Sequence, residues 1–192
     1  MKERYSIAIY PSAEVMSLIK DFKDLLARII GWYPSRNSNG HITIMEFEAS
    51  KTELVVINNF LQNFCSAKKP FLIALDGFKN YLNGAFFIAP DQKSKATTKV
   101  FMKQLHQGFP IKALFTSSDP HLSIARQLDK QNIKIANQLF QDVKTAFKCN
   151  SIVLRELKDV GEGRKQFVII EKYLLDGIDD FSNAYGQLSL GF

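Results

Sequence analysis

The chain has 192 residues, 46% of them hydrophobic and 23% charged, a globular composition suited to one domain or two fused lobes. Its formal net charge of +6 favours polyanionic partners without requiring them. The longest apolar stretches, such as Phe71 to Leu75, fall far below the roughly 20 residues that span a bilayer, which excludes a membrane helix.

Met1 to Arg4, followed by an alternating run, does not have the form of a secretory signal, so the expected location is cytoplasmic. Tyr5 to Tyr10 reads as a strand. Ala13 to Ile30 reads as an amphipathic helix, with Val15, Leu18, Ile19, Phe22, Leu25, Leu26, Ile29 and Ile30 on its apolar face and Gly31 at its end. A loop from Pro34 to Gly40 leads to a strand, His41 to Phe47, in which Ile42, Ile44 and Glu46 alternate against His41, Thr43 and Met45. Ser50 and Glu53 form a capping-box pattern that opens a helix through Phe64, and Phe71 to Phe78 is a further strand. The pattern then restarts: strand Gly84 to Ala89, helix Ser94 to Leu105, loop Phe109 to Pro120 and strand His121 to Arg126. A helix from Lys130 to Phe147, a strand Ser151 to Leu157, a turn at Gly161 to Gly163 and a strand Gln166 to Leu174 complete the order. The alternating tail around Leu188 to Phe192 carries no assignment.

The two halves, about 5–80 and 84–175, repeat one order at an offset of 79 (Pro11 to Pro90) or 80 (His41 to His121), which points to an internal duplication within a single bilobal domain. The two histidine strands are then expected to pack side by side and bring both imidazoles to one cleft. Each histidine opens the pattern His, apolar, Thr or Ser, apolar: His41-Ile42-Thr43-Ile44 and His121-Leu122-Ser123-Ile124. From the composition, a histidine matches this by chance with a probability of about two per cent, so two of three is of order one in a thousand. Residues two apart on a strand share a face, so each imidazole stands beside a hydroxyl. Such a pair of pairs suits a phosphodiester: one imidazole takes a proton, the other gives one, and Thr43 and Ser123 hold the non-bridging oxygens. This division of labour requires no metal and no cofactor. His106, on a polar helix face, reads as a solvated side chain. Cys65 and Cys149 lack zinc-ligand spacing and read as reduced structural thiols.

These motifs resemble the two-histidine phosphoesterase superfamily, which includes the 2′-5′ RNA ligase-like proteins and RNA cyclic phosphodiesterases. His41-Ile-Thr43-Ile-Met-Glu-Phe47 is similar to its first motif, and Pro120-His121-Leu-Ser123-Ile-Ala-Arg126 to its second. Ser123 stands where Thr is more usual, and Glu48-Ala49 where Leu-Gly is frequent. The resemblance implies an α+β fold of two antiparallel sheets flanked by helices, with a central groove holding the catalytic pair His41 and His121 and the phosphate-binding Thr43 and Ser123. It implies as substrates RNA ends or nucleotides with a 2′,3′-cyclic phosphate, opened by hydrolysis or joined in the related 2′-5′ ligation. A small cyclic phosphodiester or 2′-5′ oligonucleotide is the alternative substrate, and a non-catalytic RNA-binding module the alternative role.

Arg126 is a candidate phosphate ligand, although on a regular strand its parity points it away from His121. Arg36 and Lys112 could guide a polyanion, and Trp32, Tyr33 and Tyr81 are candidate stacking surfaces for a base. No obligate protein partner is evident, and a monomer is expected.

Overall fold

The computed structural model describes residues 1–161 and 163–177; the tail around Leu188 to Phe192 lies outside them. The described chain is α+β: two antiparallel sheets flanked by four helices. In order, the elements are β1 (Glu3–Ile9), α1 (Ala13–Ile30), β2 (Ile42–Ala49), α2 (Lys51–Ser66), β3 (Phe71–Asn80), β4 (Phe86–Pro90), α3 (Gln92–Gly108), β5 (Phe115–Thr116), β6 (Leu122–Ala125), α4 (Lys130–Leu139), β7 (Lys144–Cys149), β8 (Ser151–Asp159) and β9 (Lys165–Leu174). No described helix is long and apolar enough to cross a membrane.

The first sheet runs β5-β2-β1-β8-β9 and the second β6-β4-β3-β7. When β1 is set against β4, β2 against β6 and β8 against β3, the two share one four-strand arrangement. β3 leaves its own half to pair with β4, and β8 pairs back onto β1. The histidine strands β2 and β6 therefore lie in different sheets and share no ladder, contrary to the side-by-side packing expected from the sequence.

Two elements differ from the sequence reading. The helix expected over 130–147 stops at Leu139, and Lys144–Cys149 forms β7, an edge strand paired with β3. Val143 and Phe147 continue the helical spacing, but Phe147 and Cys149 are buried at strand spacing once β7 is paired. The two-residue β5 is also additional.

Local chemistry explains the helix starts. Ser50 closes a capping box with Glu53, while Asp91 and Asp129 accept from the backbone N–H groups of Ser94 and Asn132. On α1, Val15, Ile19, Lys23 and Leu26 form the buried stripe, whereas Leu25 and Ile29 of the expected apolar face are exposed. The core joins both sheets through fully buried side chains such as Ile7, Ile44, Phe47, Phe86 and Ile73. Cys65 and Cys149 are both buried and free.

Candidate active site

Both histidine strands carry the same irregularity. Opposite β1, Ile7 pairs with Met45 but Ala8 pairs with Thr43, which leaves Ile44 as an extra residue. Opposite β4, Phe86 pairs with Ala125 and Phe87 with Ser123, which leaves Ile124 extra. A bulge of this kind shifts side-chain parity by one. Ile44 and Met45 are both buried, as are Ile124 and Ala125, and the next residue returns to the groove face. Glu46 therefore joins His41 and Thr43, and Arg126 joins His121 and Ser123, which corrects the parity read from regular strands.

Each imidazole is held by its own main chain. His41 Nδ1 lies 2.8 Å from the Asn39 carbonyl oxygen, and His121 Nδ1 lies 2.8 Å from that of Asp119. A carbonyl only accepts, so Nδ1 carries the proton in both rings and Nε2 is left as the free nitrogen. Tyr10 stacks on His41 at 5.8 Å, while Phe87 and Tyr81 pack on His121 at 4.8 and 5.5 Å.

Two cavities adjoin. One of 340 Å3 is lined by His41, Tyr10, Arg155, Lys165 and Phe167, and one of 700 Å3 by His121, Ser123, Tyr81, Asn83, Asp119 and Phe115. Thr43, Glu46, Arg126 and Gln127 line both, so the structure brings Thr43 and Arg126 to the boundary between the two histidines. The floor is set by register: Ser6 on β1 lies opposite Glu46 on one side and Arg155 on the other, and Ala8 lies between Thr43 and Val153. Small side chains there leave open space. In the second sheet Phe87 faces Ser123 and fills the corresponding position against His121.

Burial pushes the His41 imidazole down to about 3, helped by the positive charges of Arg155, Arg126 and Lys23 and opposed by its bond to the Asn39 carbonyl. His121 is lowered by burial as well, but the Asp119 carbonyl and carboxylate work the other way. The Asp119 carboxylate accepts from the Tyr81 hydroxyl and pairs with Lys95 at 2.7 Å and Lys99 at 3.5 Å. Glu46 is bound by Arg4 through Nε at 3.1 Å and Nη2 at 2.5 Å.

Two residues escaped the sequence reading, and a third was placed in the wrong surroundings. Lys23 is 2% exposed, and its Nζ donates to the Ser35 carbonyl (2.9 Å), the Ser38 carbonyl (2.7 Å) and Ser38 Oγ (2.9 Å). Desolvation lowers it to about 8. It thereby pins the loop that ends in Asn39 and His41; its place in the Val15-Ile19-Lys23-Leu26 stripe was the available signal. Arg155 is equally buried and donates from Nη2 to Ser6 Oγ at 2.6 Å. Nothing in its local sequence marks it. His106 is half-buried rather than solvated, and its Nε2 donates to the carbonyl of the bulged Ile44 at 3.1 Å.

Of the remaining candidates, Tyr81 lines the larger cavity. Tyr33 is buried, with its hydroxyl on the Lys23 carbonyl, and so offers no stacking face. Trp32 is 70% exposed and lines neither cavity. Arg36 faces a separate pocket beside Asp24, and Lys112 is exposed away from both cavities.

A model of the 2′-5′ RNA ligase superfamily matches residues 18–161. No curated protein sequence matches. Solved structures with a similar fold include E. coli LigT complexed with NADP+ (TM-score 0.64, 13% identity, 92% of this chain and 99% of that one) and the same protein complexed with 3′-AMP (0.65, 13%, 91% and 99%). The protein TT0787 of Thermus thermophilus is similar at TM-score 0.62 and 18% identity over 91% of this chain and 98% of that one.

Proposed function

The chain belongs to the 2′-5′ RNA ligase superfamily, and on that premise we propose that it is a phosphodiesterase opening 2′,3′-cyclic phosphate ends of RNA or nucleotides, with the related 2′-5′ joining as the same ring opening by a 5′-hydroxyl in place of water. The observation that carries this is the matched pair of imidazoles, each with Nδ1 fixed on a main-chain carbonyl and Nε2 free, on cavities that share Thr43 and Arg126. The equal strand arrangement of the two sheets supports a duplicated origin for the pair.

In the proposed reaction the cyclic phosphate sits between the two rings, held by Thr43, Ser123 and Arg126. Water attacks phosphorus while neutral His41 Nε2 takes its proton. The bond from phosphorus to one ribose oxygen breaks, and His121 Nε2–H gives that oxygen its proton, leaving a phosphate monoester. His121 is assigned the donor role because the Asp119 carboxylate favours its charged form, and the bound phosphate anion adds to that. His41, ringed by cations, is the acceptor. The nucleotides complexed in similar structures, 3′-AMP and NADP+, fit a nucleotide substrate for this chain too.

The test is hydrolysis of 2′,3′-cyclic nucleotides and of RNA ending in a 2′,3′-cyclic phosphate, with EDTA present. Turnover by the unaltered protein, falling at least about a hundredfold in both His41→Ala and His121→Ala, is the expected result. Turnover that survives either substitution would sink the two-histidine route, and RNA affinity without turnover would leave a binding module.

A further inference from the structure

Building on the phosphoesterase reading, we propose that the cavity beside His41 is a subsite for a second phosphate of the substrate, one nucleoside beyond the scissile diester. Arg155 is the central observation. It lies 2% exposed on the groove face of the first sheet, hydrogen-bonded to Ser6 Oγ and set against the Tyr10 phenol. Among the described residues no carboxylate lies within ion-pair distance of it, and its Nε is buried without a hydrogen-bond partner. The Phe167 and Tyr10 rings stand over the guanidinium at 5.1 and 5.9 Å, and Ser6 Oγ and the Tyr10 hydroxyl engage part of its edge, which leaves the remaining in-plane N–H groups as the chemistry on offer. A desolvated cation with an unused donor is costly unless an anion completes it, and a guanidinium edge matches phosphate oxygens.

The cavities differ in a way that gives the substrate a direction. Arg126, Arg155 and Lys165 line the smaller one, and its single carboxylate, Glu46, is already engaged by Arg4. Arg126 is common to both, and the only further cation of the larger cavity, Arg4, is held by Glu46. Its other lining residues include Tyr81, Phe115 and Asn83 together with Asp119, which is paired with Lys95 and Lys99, a surface that suits a nucleoside better than a second anion. In a 2′-5′ diester at the boundary the nucleoside that supplies the 2′-oxygen would thus lie past His121 and the one joined through its 5′-oxygen past His41. Cleavage runs the joining step backwards: the neighbouring 3′-hydroxyl attacks phosphorus and gives its proton to His121 Nε2, while the departing 5′-oxygen takes one from His41 Nε2–H. The substrate class is a strand with two consecutive phosphates, beyond a lone cyclic mononucleotide.

The experiment compares a 2′-5′-linked diadenosine monophosphate with the same molecule carrying a 3′-phosphate on the nucleoside joined through its 5′-oxygen. The phosphorylated form is expected to show a kcat/KM at least about tenfold higher, the scale of one charge-assisted hydrogen bond. Arg155→Gln and the exposed Lys165→Gln should each pull that ratio toward one, and Lys165→Gln keeps the test valid if the buried substitution does not fold. Equal kcat/KM in the unaltered protein, or a ratio unmoved by both substitutions, overturns the subsite. If neither dinucleotide is turned over, binding replaces turnover as the readout, and the phosphoesterase reading fails separately only when 2′,3′-cyclic AMP is not turned over either. Calorimetric Kd values for the two dinucleotides then decide: tighter binding of the phosphorylated form, lost in the variants, supports the subsite, and equal Kd values reject it.

Discussion

An imidazole that desolvation and neighbouring cations keep neutral in the fold is a base the unfolded chain can protonate more easily. His41 takes up a proton near 6.5 when unfolded but only near 3 when folded, so the stability tied to its neutral form is complete above 6.5 and is lost as pH falls below it. The expected result is that the thermal midpoint of the unaltered protein drops more between pH 7 and pH 5 than that of His41→Gln. Equal slopes would show that the imidazole is more freely solvated than its surroundings imply. The histidines and their hydroxyl partners were legible from spacing alone, because His-x-Thr and His-x-Ser each fit within one period-two stretch. The sequence placed Arg126 on the wrong face because parity counting assumes a regular ladder, and the bulge at Ile124 breaks it. The paired apolar residues Ile44-Met45 and Ile124-Ala125 were the visible trace of that break.

Among the elements, α1 has a task beyond packing. Its Lys23 ties down Ser35 and Ser38, just upstream of the Asn39 carbonyl that orients His41. Lys23→Gln should unmoor that loop at a cost of about 2 kcal/mol in stability, since buried carbonyls lose their partner. The larger expected effect is on kcat, with KM for a cyclic nucleotide changing less; steady-state kinetics beside a denaturant titration separate the two. A variant with lost stability and untouched kcat would mean that the loop holds itself. The amphipathic pattern of α1 and the capped start of α2 were readable in sequence because the 3.6-residue spacing and the Ser50–Glu53 pair are local signals. The β7 strand was not, because an edge strand exposing half its residues carries only a faint alternation, and its pairing with β3 lies about 70 residues away in the chain.

For the whole molecule, a formal charge of +6 and two cavities bordered by Arg4, Arg126, Arg155 and Lys165 favour long-range attraction of a polyanion such as the proposed RNA substrate. Raising ionic strength from about 0.05 to 0.5 M should lower kcat/KM several-fold for an RNA substrate and distinctly less for a cyclic mononucleotide, since screening acts on every phosphate of the longer chain. Identical salt slopes would show that only the reacting phosphate is sensed. The two sheets share an arrangement of strands yet differ at the floor, Ala8 on one side and Phe87 on the other.

The tether of each histidine to a carbonyl two residues upstream has a further implication. Every amino acid brings the same carbonyl, so the holder cannot be lost through a change of side chain at position 39, and Asn39 is free to vary as long as the turn is kept. Robustness to drift is thereby written into the polypeptide itself. The vulnerable points are instead the groups that fix the turn from outside, and on the His41 side that burden falls on a lysine of α1 that lines neither cavity.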